Sequence, residues 1–163
     1  MSFLIHGLDP QRFARMFTLS DAELATAGAV RRVADSTPGF PCRVSLEDAA
    51  VGDELVLLPF EHHAVAGPYR ATGPIYVRRE AVAGVPRLPL VLDRMPDALA
   101  RRLVSVRAYD AAGLMVHADV VDGRELAATL ERSLGDRSVA YVHVHYAKPG
   151  CYAPRVTRAD EQA

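Results

Sequence analysis

Lysine is all but missing from this chain. Of its 19 basic residues only Lys148 is a lysine, which leaves one amine besides the N-terminus. With alanine abundant, that skew reads as a mark of genome composition rather than of function. Cysteine is scarce too. Two cysteines and no export signal argue against a disulfide scaffold, and Cys42 and Cys151 lack the Cys-x-x-Cys spacing of a structural zinc site. A formal net charge of −1 gives no basic footprint for nucleic acid and no attraction to a membrane surface. No apolar run approaches the ~20 residues that span a bilayer. The opening MSFLIHGLDPQRF has no basic segment before its short apolar run and meets Asp9 too soon for a signal peptide, so the expected location is the cytoplasm. Without a Gly-x-Gly-x-x-Gly or a Walker-type loop, nucleotide binding by a known phosphate cradle is unsupported.

What is present suits one globular domain. Half of the residues are hydrophobic and 24% are charged, and 163 residues suffice for a real core. The expected organisation is a single domain over 1–156 and a frayed charged tail over 157–163. Residues 2–8 read as a strand. Asp9-Pro10 opens a helix with Phe13, Met16 and Phe17 as its apolar stripe. Ser20 and Glu23 form a capping box for a second short helix that stops at Gly28. Strands are expected over 53–60 and 75–78, and loop over the proline-rich 81–95. A helix from Pro96 carries Leu99 and Leu103, and 104–110 with 113–121 read as a hairpin. Leu126, Leu130 and Leu134 mark the clearest helix, ending at Gly135. Strict βαβ alternation is missing. The pattern predicts an α+β fold, a largely antiparallel sheet with short helices packed mainly on one face.

The unusual side chains concentrate in VAYVHVHYAKPGCYAPRV, residues 139–156. Val139 to Ala147 alternates with period two. Tyr141, His143 and His145 share one face, with i and i+2 ~6.6 Å apart at the usual rise of a strand. Lys148-Pro149-Gly150 breaks the strand just before Cys151. Two readings stand side by side. The imidazoles either pave the solvent face of a sheet, the default for such strands, or belong to a site.

Other candidates lie upstream. In TPGFPCRVSLEDA (37–49) Arg43 follows Cys42, and an arginine beside a thiol favours the thiolate; the bland alternative is a buried, inert thiol. Glu61-His62-His63 sits past a strand, where both histidines can serve one site only if the chain turns. Tyr69 and Arg70 lie on a loop, with Arg70 a candidate anion clamp. His117 and Asp119 share a face of the hairpin, as a surface pair or an oriented base.

TPGFPCRVSLEDA, PYRATGPIYVR, RAYDAAGLMVHADVVDG and HVHYAKPGCYAPRV together resemble the DUF1203 family of bacterial proteins, in order and from the N-terminal strand to about Arg155. The resemblance implies a small stand-alone bacterial protein and no mechanism. Three functional classes follow from the residues themselves. One is an enzyme or small-molecule binder with a Cys/His pocket: Cys42, Cys151, His143 and His145 as the catalytic set, and Arg43, His62, His63, Tyr69, Arg70 and Tyr141 around a small anionic ligand. Another is a divalent-metal site built on His143 and His145, with His62 or His63 and Cys151 as further ligands. The third is a non-catalytic, homodimeric interaction module that uses the tyrosines as contact area. No nucleic-acid or membrane partner is expected.

Overall fold

The structure is a computed structural model that describes residues 3–83 and 89–159. Nine strands are formed: β1 (Phe3–His6), β2 (Val30–Val33), β3 (Glu54–His63), β4 (Ala71–Arg78), β5 (Val91–Leu92), β6 (Leu103–Tyr109), β7 (Met115–Asp122), β8 (Tyr141–Tyr146) and β9 (Tyr152–Arg158). Helices α1 (Asp21–Thr26), α2 (Arg79–Val82), α3 (Asp97–Ala100) and α4 (Leu126–Gly135) lie between them. The fold is α+β with antiparallel sheets: one of six strands in the order β5-β1-β9-β8-β6-β7, the other of three in the order β2-β3-β4.

The layers follow from side-chain parity. Leu126, Leu130 and Leu134 fall on one stripe of α4 and pack on Val104, Val106, Val142 and Val144 of the large sheet. The opposite face presents Tyr141, His143, His145 and Tyr152 to the small sheet, whose Val56, Phe60 and Ile75 form a second core with Tyr152. Both faces of β8 are therefore covered, and all six of its residues are buried. Arg158 at the end of β9 caps α4 from outside the helix, donating to the carbonyls of Leu134 and Asp136.

Several local expectations are corrected. Phe13 and Phe17 are buried, but 3-10 turns rather than an α-helix carry their segment. Leu103 begins β6 instead of extending the helix from Pro96. β2 comes from an Arg-rich stretch without a buried face, so it carries no alternation to read. β9 continues through Thr157 and Arg158, paired with Leu4 and Phe3, so the ordered domain reaches past 156. Of the loop expected over 81–95, residues 84–88 lie outside the described residues, as do 160–163 of the tail. Among the described residues no helix is long and apolar enough to cross a membrane.

Gly123 sets the junction between α3 and α4. A Cβ there would lie 2.0 Å from the Leu99 carbonyl oxygen and 2.7 Å from that of Arg102, and the Gly123 N–H already donates to the Arg102 carbonyl at 2.8 Å. Backbone cannot yield as a side chain can. Gly123→Ala is expected to cost ~2–3 kcal/mol or more in a urea titration, whereas Gly135→Ala, with open space around its Cβ, should change little.

Candidate metal centre

Two strands bring the histidines together. His143 and His145 project from the same face of β8 towards β3, and they are only 2% and 1% exposed. The solvent-face reading of the His-x-His pair is thereby set aside. A β-bulge does the rest. Glu61 pairs with Thr72 and His63 with Ala71, so His62 is the extra residue of β3 and the chain turns as two adjacent inward histidines require. One ring nitrogen each from His62, His143 and His145 lies within 4.8 Å of the others. Tyr152, opposite His145 in the β8–β9 register, stacks on the His62 ring at 5.1 Å with the planes 7° apart.

The hydrogen bonds separate these three from the fourth histidine. His63 uses both nitrogens: Nδ1–H donates to the Tyr69 carbonyl at 2.7 Å, and Nε2 accepts from the Tyr141 hydroxyl at 2.7 Å. It is thus a support and not a free ligand. His145 donates from Nδ1 to the Gly150 carbonyl at 3.0 Å, which fixes its tautomer and leaves Nε2 bare. Gly150, at φ +74°, closes the turn that aims that carbonyl. The bare Nε2 of His145, Nδ1 of His143 and Nδ1 of His62 are all buried without a hydrogen-bond partner. Each such nitrogen costs ~1–3 kcal/mol, and all three belong to the rings that the bulge and β8 bring together.

The surroundings keep these rings neutral. Burial, with the neighbouring His63, His145 and His62 and then Arg155, pushes His143 down to about 2. Burial beside His63 and Arg107 lowers His62 to about 4, and burial also lowers His145 to about 4 against the hydrogen bond that it donates to the Gly150 carbonyl. Neutral imidazole is the form that binds metal. A cavity of about 460 Å³ opens on His62, His143 and Tyr152, with Arg12 and Arg155 on its wall. Arg12 lies over Phe60 and Arg155 over Tyr141, at 4.8 and 4.0 Å. Neither forms an ion pair among the described residues.

The remaining sequence candidates fall elsewhere. Arg70 pairs through Nε with Glu61 at 2.5 Å and does not line the cavity on the histidines. Cys42 is buried, its sulfur accepting from the Arg78 N–H at 3.3 Å. Arg43 and Cys151 line a different cavity, beside the turn between β8 and β9. No hydrogen bond links either sulfur to a histidine. The single pocket expected from these residues thus divides, with Arg43 and Cys151 on one cavity and His62, His63, Tyr141 and His143 on the other.

The family model described as "Protein of unknown function (DUF1203)" matches residues 39–158 of the chain. The chain belongs to the DUF1203 family. The match takes in all three histidines and leaves the first strand outside it. No curated protein and no solved structure matches this DUF1203 chain.

Sequence reasoning missed His6, Arg12, Tyr152 and Arg155 as wall residues of the cavity. His143 pairs with Arg155 and Arg155 with His6 in neighbouring strands, a row that only the strand order reveals. For the metal-free protein the sign of the pH dependence is clear. Between the ordinary histidine value of 6.5 and the lowered values of about 4, the unfolded chain binds more protons than the folded one. This share of stability is whole above pH 6.5 and is lost as pH falls towards 4. The denaturation midpoint should drop over that window, and His143→Asn should flatten the slope even while lowering stability overall.

Proposed function

We propose that this protein is a metal-dependent enzyme or small-molecule binder. His62, His143 and His145 hold one divalent transition-metal ion, and the adjoining cavity admits a small anion. The observation that carries the reading is that ligand nitrogens of His62, His143 and His145 lie within 4.8 Å of one another, on rings that each keep one buried nitrogen without a hydrogen-bond partner. Imidazole ligands suit zinc, copper, iron and nickel. A tetrahedral ion needs nitrogens ~3.4 Å apart at ordinary bond lengths, so small ring rotations complete the set. Three protein ligands leave a position open, the arrangement of catalytic rather than structural sites, and the bound metal would supply Lewis acidity there. The His145–Gly150 hydrogen bond supplies the outer-shell orientation that such ligands use. Arg12 and Arg155 form no ion pair among the described residues and offer donors to an anion on the open side, although Asp9 and the Arg70-paired Glu61 line the same cavity. In this reading the protein works in the cytoplasm of a bacterium, where its two thiols stay reduced.

The test is reconstitution of the untagged protein with Zn(II), Co(II), Fe(II), Ni(II) or Cu(II), followed by elemental analysis. At least one ion should bind at about one equivalent per chain, and His143→Ala or His145→Ala should reduce it below ~0.1 equivalent. His117→Ala, on the exposed edge strand β7, should leave binding unchanged. Retention of none of the five ions by the wild-type protein overturns the proposal.

A further inference from the structure

The second cavity, about 390 Å³, contains a charge that the protein leaves without a counter-ion. Arg43 is only 2% exposed. Its Nε donates to the Tyr152 carbonyl at 2.7 Å and its Nη1 to the Pro41 carbonyl, while the guanidinium lies 5.1 Å from the centre of the Tyr146 ring. No carboxylate pairs with it, and Nη2 bonds no protein atom among the described residues. Buried charges are ordinarily paired, because the carbonyls and ring that solvate this one recover only part of the lost hydration.

The rest of the lining has the same sign. Arg101, Arg102 and Lys148 join Arg43, and no acidic residue lines the cavity. Asp97 satisfies Arg101, and Asp48 holds Arg102 through two bonds of 2.9 and 2.6 Å. Lys148, the only lysine of the chain, is exposed and forms no ion pair among the described residues. The walls between these charges are apolar or aromatic: Tyr76, Tyr146, Leu103, Pro41 and Pro149. The Cys151 thiol stands at the rim, half-exposed.

We infer that this cavity is a binding site for a small organic carboxylate, its head group on Arg43 Nη2 and Lys148 and its apolar body between Tyr76, Tyr146 and the prolines. A planar guanidinium with a free terminal nitrogen suits a carboxylate. The apolar walls give affinity to a carbon skeleton that a bare inorganic anion would not use. The site stands independently of the histidine centre and requires no metal.

Cys151 reports on occupancy, since Cys42 is buried and shielded from reagent. The probes are benzoate, its neutral counterpart benzyl alcohol, and inorganic phosphate, each tested against iodoacetamide alkylation of the full-length protein followed by mass spectrometry. Benzoate should slow modification of Cys151 saturably, by about tenfold at ten times its Kd. Lys148→Ala, an exposed change that leaves the fold intact, should weaken protection several-fold. Arg43→Lys should weaken it further, with circular dichroism to confirm folding. No protection by benzoate overturns the inference, as does equal protection by benzyl alcohol, or protection by phosphate that exceeds that by benzoate. Unchanged protection in Lys148→Ala removes the head-group assignment and overturns it equally.

Discussion

Burial of imidazole between two sheets is the constraint around which this molecule is arranged. A strand sandwiched on both faces would ordinarily be apolar throughout, yet β8 carries His143 and His145 into the interior. Three buried nitrogens without partners carry a penalty that approaches the ~5–15 kcal/mol net stability of a typical domain. The surroundings do not relieve it with carboxylates or serines. They hold the rings neutral and fix the tautomer of one of them. A structure optimised for stability alone would place valine at these positions, as it does at Val142 and Val144 on the other face.

Tyr152 is where the two halves of the chemistry meet. Its ring stacks on His62, while its carbonyl accepts from the buried Arg43. The histidine centre and the arginine cavity are therefore back to back across one residue of β9.

The fold was largely legible in the sequence where periodicity was strong. The stripe of α4, the hairpin of β6 and β7, the alternation of β8 and the capping box at Ser20 all reappear in the structure. In the small sheet β3 and β4 match the strands expected over 53–60 and 75–78, but β2 was not legible, because it has no buried face and a strand without one leaves no pattern. The site was legible in part. His143, His145 and His62 stood out by residue type, but their convergence depends on a bulge, and no local signal reports an unpaired residue inside a strand. Arg155 was hidden for a different reason: its place beside His143 is a matter of register between strands. Arg43 and Cys151 were noticed, yet sequence could not tell that they line a cavity apart from the histidines.

The bulge at His62 also governs how β3 can change over generations. Side chains alternate along a strand, so an insertion or deletion of one residue between Leu55 and Glu61 would send every inward side chain outward. The loss of one residue within 61–63 would remove the bulge and leave a single inward histidine where the centre needs both a ligand and its neighbouring support. The turn over 64–70 is bound by no such parity. Length variation within relatives should therefore gather in that turn and stop abruptly at His63, a boundary between freely variable and length-locked chain set by one unpaired residue.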